Sequence, residues 1–261
     1  QIASIAGAPA ADNADQAFRY ALKTLNPLAV VSGGALYAPH NANGELNLYN
    51  PEDGTGTLTT QWIADRATFL TWKESINTND QLFAVDQGAS NNAWYKDFAS
   101  GENAYVLNLT GLGRRGAASI EASLKKTEAK RVFFGTDAAD PGITGGANAD
   151  ALYGNGGDDR LSWLGGADYL QGDAGWDRLY GGDDNDELVG GKDDDLLLGG
   201  SGNDTYVWNT GDGFDTIVDE DGQGKILFAS QDLTGAYEQK GDDPKTFGNA
   251  EYTLTWNGKL T

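Results

Sequence analysis

The residues whose type and spacing could do chemistry in this sequence are aspartates that recur every nine positions. From Gly145 the chain divides into seven consecutive units of nine residues, and the sixth residue of each unit is aspartate. These residues are Asp150, Asp159, Asp168, Asp177, Asp186, Asp195 and Asp204. After a two-residue insertion, an eighth unit that begins at Thr210 carries Asp215 in the same place. A fixed short period of this kind indicates a repeat architecture such as a solenoid.

Glycine accompanies these aspartates and predicts which ion they would bind. It predominates at positions one, two and four, where it permits positive φ and lets a tight turn bring carbonyl oxygens together. Ca²⁺ takes about six to eight oxygen ligands at roughly 2.3–2.6 Å, from carboxylates and carbonyl groups. Mg²⁺ demands a tighter octahedron, and zinc prefers His or Cys, which the repeats lack. Beside the aspartates, we expect calcium ligands from Gly154, Gly156, Gly165, Gly172, Gly181, Gly190 and Gly199.

The negative charge of the chain is concentrated in the same stretch. The 261 residues contain 39 Asp and Glu against 18 Lys and Arg, for a formal net charge of −21. Residues 136–221 alone hold 19 Asp and 2 Glu against 2 Arg and 1 Lys. Nucleic acid is excluded as a partner, because phosphate binding needs clustered cations. Apolar runs are too short to span a membrane, and the absence of cysteine excludes disulfides, thiolate metal sites and cysteine nucleophiles.

The units resemble the calcium-binding nonapeptide G-G-x-G-x-D-x-U-x of RTX (repeats-in-toxin, haemolysin-type) proteins. The resemblance implies a mainly β fold, a right-handed parallel β-roll in which two units make one turn and units n and n+2 stack. Leucine at position eight, as in Leu179, would then point into the roll, while the first six residues form the turn. A flexible Gly/Asp-rich linker is the alternative that composition allows, and the regular leucine argues against it.

Stacked units would place an ion between successive turns of the roll. With rungs roughly 4.8 Å apart, the repeats predict about five Ca²⁺ ions. The corresponding pairs are Asp150 with Asp168, Asp159 with Asp177, Asp168 with Asp186, Asp177 with Asp195, and Asp186 with Asp204. The insertion weakens the case for a sixth ion between Asp195 and Asp215. Without cations, each stacked pair of carboxylates would repel by of order 1 kcal/mol or more, so we expect the calcium-free array to be disordered.

Some units depart from the glycine pattern at positions one, two or four. Trp163 and Leu164 replace the first two glycines of the third unit, and Asp173 replaces the second glycine of the fourth. In the sixth unit, Asp193 stands where glycine is usual. We expect these departures to affect the occupancy of the adjoining ion sites.

The sequences on either side of the repeats are those of ordinary globular segments. We divide the chain into a mixed α/β region over 1–134, the β-roll over 135–221 and a short C-terminal β cap over 222–261. Hydrophobic periodicity predicts helices over 14–25 and 60–76. Strands are predicted over 82–85, 104–109, 131–134, 225–228 and 252–256, the last followed by an Asn257-Gly258 hairpin turn.

No catalytic constellation is visible, and whether the parent protein is an enzyme is left open. The single histidine, His40, would have to serve any Ser-His-Asp site, and the motifs G-x-S-x-G and H-E-x-x-H are absent. Four carboxylates could pair as acid and base or be solvated: Glu45, Glu52, Asp53 and Asp65. Four aromatic residues could form a sugar-binding platform or belong to the core: Trp62, Trp72, Trp94 and Tyr95. Asp-Pro bonds at 140–141 and 243–244 are of the kind that some RTX self-processing modules cleave.

The flanks are similar to segments of large bacterial RTX exoproteins. The similarity rests on FRYALKTLNPLAVV from Phe18, HNANGELNLYNPEDGTG from His40, IADRATFLTWK from Ile63 and GDGFDTIVDEDGQGKILF from Gly211. It implies a C-terminal piece of a secreted, extracellular protein that leaves the cell by type I secretion and folds outside on binding calcium. Since some such proteins carry a lipase-type domain upstream, a hydrolase fragment is one alternative, and an adhesin or interaction module is another. We expect a monomer whose partners are calcium and the secretion machinery.

Overall fold

The fold of the chain, taken from a computed structural model, is mainly β. The structure describes residues 13–26, 36–50, 54–79, 83–85, 93–107, 129–221, 223–228, 231–232, 246–247 and 254–255. Helix α1 spans Asn13–Lys23 and helix α2 spans Thr60–Asn79, with a 3₁₀ turn over Ala38–His40 between them. Both helices match the predicted segments to within a few residues at their ends. In the described part of the chain, neither helix is both long and apolar enough to cross a membrane.

Seventeen strands lie in the described residues. Before the repeats come β1 Phe83–Val85, β2 Ala93–Asp97, β3 Asn103–Leu107 and β4 Lys130–Phe134. The repeats form β5 Ile143–Thr144, β6 Ala151–Gly156, β7 Arg160–Ser162, β8 Tyr169–Ala174, β9 Arg178–Asp183, β10 Glu187–Lys192, β11 Leu196–Ser201, β12 Thr205–Trp208 and β13 Thr216–Val218. The chain continues with β14 Lys225–Phe228, β15 Gln231–Asp232, β16 Thr246–Phe247 and β17 Leu254–Thr255. The sequence did not predict β2, and the predicted hairpin turn at 257–258 lies outside the described residues.

Successive repeat strands alternate between two sheets, as the resemblance implied. The first sheet has the order β1-β3-β2-β4-β6-β8-β10-β12-β14-β15, and the second has the order β13-β11-β9-β7-β5. Units n and n+2 therefore pair in parallel. Leu170 pairs with Leu188 in the first sheet, and Leu179 pairs with Leu197 in the second. The register survives the two-residue insertion, because Ile217 still pairs with Leu197.

The interior of the roll is a single layer of apolar side chains between the two sheets. The residues at position eight are fully buried and belong to one cluster: Leu152, Leu161, Leu170, Leu179, Leu188, Leu197 and Tyr206. Phe133 joins this cluster at one end of the roll and Ile226 at the other. The prediction that position eight points inward is confirmed. Each strand contributes only one such side chain, so the core is thin.

Five of the repeat strands, β6, β8, β9, β10 and β11, have six residues and not the three that the sequence predicts. Strand β9, for example, includes positions seven to nine of one unit and positions one to three of the next. Between strands β8 and β10, the pairing is interrupted at one position, which is Gly172 in β8 and Gly190 in β10. The glycines at position one therefore lie within strands, and the turns comprise only positions four to six.

The N-terminal region continues the first sheet and covers its outer face. Strand β4 pairs in parallel with both β2 and β6, so the sheet passes residue 134 without a break. Helix α2 packs on this face, where Trp62 and Phe69 share a core cluster with Phe134 and Tyr153. Helix α1 buries Leu22, whereas Phe18 on the same helix is only half-buried.

A buried ion pair ties the helices to the sheet. The guanidinium group of Arg66 on α2 lies 3.0 Å from a carboxylate oxygen of Asp97 on β2. It also donates to the carbonyl groups of Leu22 and Lys23 at the end of α1. Because both charged side chains are almost fully buried, loss of either partner would leave an unpaired charge in the core.

The thin core makes the roll sensitive to truncation of a single leucine. We expect Leu188→Ala to lower the free energy of unfolding in the presence of calcium by about 2–5 kcal/mol, because the cavity cannot be filled from other layers. Leu164→Ala is the control, since this side chain is 67% exposed, and it should change stability by less than about 0.5 kcal/mol. Urea unfolding followed by circular dichroism measures both variants. Equal effects of the two substitutions would contradict the placement of position eight.

Candidate metal centre

The position-six aspartates form a hydrogen-bonded column along each edge of the roll. Except in Asp150, whose Oδ1 accepts from the amide of Arg131, the Oδ1 atom of each accepts a hydrogen bond from the backbone amide of the aspartate one rung earlier. The links join Asp150 to Asp168, Asp159 to Asp177, Asp168 to Asp186, Asp177 to Asp195 and Asp186 to Asp204, at 2.8–3.0 Å. Asp195 and Asp215 are linked in the same way at 3.1 Å, despite the insertion. The structure thus brings together the five predicted pairs and also Asp195 and Asp215, the pair for which the insertion weakens the prediction.

The second carboxylate oxygen of most of these residues is buried and has no donor. This holds for Oδ2 of Asp159, Asp168, Asp177, Asp186, Asp195, Asp204 and Asp215. Asp150 is the exception, because its Oδ2 accepts a hydrogen bond from the amide of Gly146 at 3.0 Å. A buried anionic oxygen without a partner is costly, so each of the seven atoms calls for a cation or a proton.

Burial raises the pKa of these carboxyl groups well above the ordinary value for aspartate. The pKa is about 6 for Asp150 and Asp204, about 7 for Asp159, Asp186 and Asp215, about 8 for Asp168 and Asp177, and about 9 for Asp195. Loss of hydration is the largest cause, and the charges of neighbouring carboxylates add to it at all but Asp150. The backbone N–H donors act in the opposite direction.

Five of the unpaired oxygens lie so close to the glycine at position one of their own unit that a side chain would not fit there: those of Asp159, Asp177, Asp186, Asp195 and Asp204. A Cβ atom at Gly172 would lie 2.1 Å from Oδ2 of Asp177 and 2.6 Å from the carbonyl oxygen of Gly190. The same arrangement recurs at Gly154, where Asp159 and the carbonyl oxygen of Gly172 converge. Gly181 repeats it with Asp186 and the carbonyl oxygen of Gly199. A carboxylate oxygen and a carbonyl oxygen that face one small space suit a hard cation such as Ca²⁺.

The other predicted glycine ligands are placed differently. A Cβ atom at Gly190 would meet only atoms of Asp195, and one at Gly199 would meet Asp204 and the hydroxyl group of Tyr206. Gly156 and Gly165 lie away from the carboxylates, with Ala174 and Asp183 among their nearest neighbours. Among the described residues, no three side chains of His, Cys, Asp or Glu cluster closely enough to hold a metal. A cation here would therefore take most of its ligands from the backbone.

Some departures from glycine keep the glycine conformation. Four of these residues have a positive φ angle: Asn155 (76°), Asp173 (79°), Asp184 (78°) and Asp193 (78°). Asn and Asp are the non-glycine residues that enter this left-handed region most readily. Trp163 is buried, and its ring occupies the space beside Gly145. The turns with Asn or Asp at these positions are therefore built like those with glycine, whereas Leu164 is not among the residues with positive φ.

Asp219 is a residue of this column that the sequence analysis missed. Lys225 pairs with Thr205, so Gly224 stands at position six of the next rung after Asp204. A Cβ atom at Gly224 would lie 2.2 Å from Oδ2 of Asp219, which accepts a hydrogen bond from the Gly224 amide at 2.9 Å. The carboxylate of Asp219 thus fills the place of the missing aspartate. Asp219 does not stand at position six of any nine-residue unit, so the repeat pattern could not identify it.

The remaining candidate residues do not form a site. His40 is exposed, and its ring lies 4.6 Å from that of Tyr20. Asp65 is buried and accepts a hydrogen bond from the hydroxyl group of Tyr153, whereas Glu45 is half-buried and accepts a hydrogen bond from the side-chain amide of Asn43. Glu52, Asp53 and the 243–244 bond lie outside the described residues. Trp62 and Tyr95 are buried in the core and Trp72 and Trp94 pack at its margins, so these four rings are not an exposed platform.

Comparison with known families agrees with this geometry. A family model of the RTX calcium-binding nonapeptide repeat, in four copies, matches residues 143–170, 164–188 and 171–206. These residues contain the position-six aspartates from Asp150 to Asp204. No curated protein matches the chain.

The raised pKa values predict that acid stabilises the roll when calcium is absent. Between about pH 4 and 9 the folded roll binds more protons than the unfolded chain, in which the pKa of aspartate is about 3.9, so stability falls as pH rises. In chelator, the far-UV β signal should be larger near pH 5.5 than near pH 8.5. A calcium-saturated sample gives the full signal for reference. A β signal in chelator that decreases on acidification would contradict the burial of these carboxyl groups.

Proposed function

Because residues 143–206 form an RTX calcium-binding β-roll, we propose that the chain is a folding module that calcium switches on. The observation that carries the proposal is the set of seven buried Oδ2 atoms without a donor. Each belongs to a carboxylate that is already fixed to the backbone of a neighbouring rung. Calcium supplies the positive charge that lets these oxygens stay buried, so its binding free energy becomes folding free energy.

The stacking of carboxylates explains why the fold needs the ion. Neighbouring rungs bring like charges to within roughly 5 Å, where repulsion is about 1 kcal/mol in water and several times larger near a protein surface. The interior offers one apolar side chain per strand, such as Leu188, to oppose this repulsion and the entropy lost on ordering the turns. We propose about five ions, each held by position-six aspartates and by the carbonyl groups of position-one glycines such as Gly172 and Gly190.

The biological role that we propose is export followed by folding outside the cell. The chain would pass unfolded through a type I secretion channel where calcium is scarce. It would then fold as a monomer in the extracellular medium, where millimolar calcium suits sites of this class. Folding there would stabilise or present an upstream effector domain. The lack of cysteine and the dependence of the roll on an external ion support this role.

A calcium titration on the complete chain tests the switch. We expect a cooperative gain of far-UV β signal with calcium and little change with magnesium at the same concentrations, because Mg²⁺ gives up its bound water reluctantly. A full β signal in the presence of a strong chelator would show that the roll forms without calcium and would refute the proposal.

Substitution of the column tests the ligands. Asp177→Asn and Asp186→Asn should each reduce the number of bound calcium ions in native mass spectrometry and raise the calcium midpoint of folding about tenfold. Asp184→Asn is the matched control, because Asp184 lies in an exposed turn and asparagine tolerates its positive φ. Equal calcium binding by all three variants would contradict the assignment of position six.

A further inference from the structure

Two side chains replace the glycine of position two where the roll meets the N-terminal helices. Along this edge, position two is Asn155, then Asp173, then Gly191. All three have positive φ, which is unfavourable for any residue with a Cβ atom. A Cβ atom at Gly191 would collide with the carbonyl oxygen of Asp173. Of these three rungs, only those of Asn155 and Asp173 have a side chain at position two.

Asn155 joins helix α2 to the beginning of the roll. Its Oδ1 accepts a hydrogen bond from the indole N–H of Trp62 at 3.3 Å. Its Nδ2 donates to the carbonyl group of Gly135, just beyond strand β4, at 2.8 Å. Glycine at this position would keep the backbone of the turn and lose both contacts.

Asp173 stabilises the position of Thr59, the residue that caps the N-terminus of helix α2. The hydroxyl group of Thr59 accepts a hydrogen bond from the Trp62 amide as the N-cap and donates to Oε1 of Gln171 at 2.9 Å. The amide group of Gln171 in turn donates to the carboxylate of Asp173 at 2.5 Å. A chain of hydrogen bonds thus connects the N-terminus of α2 to Asp173, which stands where the repeat consensus has glycine.

Packing at this end of the interface is loose, so these polar contacts carry more of its stability. A cavity of about 730 Å³ lies between the edge of the roll and the N-terminal layer, which comprises helices α1 and α2 and the described residues between them. Asn155, Gln171 and Asp173 line this cavity. Farther along α2 the apolar contacts with Tyr153 take over, beside a 2.6 Å hydrogen bond from Tyr153 to Asp65.

We infer that Asn155 and Asp173 are a latch through which helix α2 responds to the calcium state of the roll. The inference rests on the proposed function, because the latch residues take their positions only when the turns that contain Asp159 and Asp177 have formed. Calcium that orders these turns then presents both side chains to α2. The N-terminal layer docks on the roll second, and the latch sets how firmly it stays docked.

Restoring the consensus glycine tests the latch without harming the roll. In the complete chain, amide hydrogen exchange followed by mass spectrometry should show calcium-dependent protection in peptides from both 60–79 and 178–201. In the double variant Asn155→Gly/Asp173→Gly at saturating calcium, exchange in 60–79 should be about tenfold faster, while 178–201 keeps its protection. Asp184→Gly/Asp193→Gly is the matched control, because these residues have the same φ but lie in exposed turns.

The possible outcomes separate the latch from the switch. Unchanged protection of 60–79 in the double variant would overturn the latch, and so would loss of protection in 178–201, which would make the two residues part of the roll itself. Protection of 178–201 in chelator would instead refute the proposed calcium switch. The comparison of the two double variants at saturating calcium would still decide whether the latch exists.

Discussion

Carboxylate groups stacked at every turn of the roll are the constraint on which the rest of the structure depends. Each is fixed by an amide of the preceding rung, as Asp177 is by Asp159, which holds it close to the next carboxylate. The apolar interior offers little opposition, because it is one side chain thick on each sheet. A divalent cation removes both the repulsion and the unpaired oxygen. Under the function that we propose, the fold and the ion form one thermodynamic unit, to which the leucine column adds its own share of the stability.

The same geometry explains why the choice of residues is so narrow. Aspartate places Oδ1 on an amide 18 residues earlier while Oδ2 stays beside the first glycine of its own unit. Glutamate would carry both oxygens about 1.5 Å farther from the backbone. A side chain at position one, for example at Gly172, would occupy the space between Asp177 and the carbonyl group of Gly190. Rung spacing thus accounts for the eight position-six aspartates among the 19 Asp of residues 136–221.

The parts of the fold that follow the nine-residue period could be predicted from sequence, and the parts fixed by distant contacts could not. The resemblance to the RTX nonapeptide predicts which strands pair. The period itself predicts which residue faces inward and places Asp215 and Ile217 beyond the insertion of Trp208 and Asn209. It carries no information about strand β2, about the union of β4 with the sheet of the roll, or about Asp219. Those features depend on partners that are remote in sequence, as when Arg66 meets Asp97 in the core. Even within the repeats, the length of the strands depends on pairing between turns and not on the composition of one unit.

The edge of the roll that faces helix α2 must meet two demands, and this explains which repeat positions vary. The turn needs a left-handed residue, and the helix needs a hydrogen-bonding side chain. Asparagine and aspartate satisfy both, and they stand at positions 155 and 173, while Gly191 restores the consensus on the next rung. The N-terminal region also reaches the last rungs, because the hydroxyl group of Tyr49 donates a hydrogen bond to Asp212 at 3.3 Å. There the first sheet continues into strand β14, and the carboxylate of Asp219 closes the column. Units that look equivalent in the sequence therefore differ in what they do, because the first ones anchor a helix and the last ones close the column.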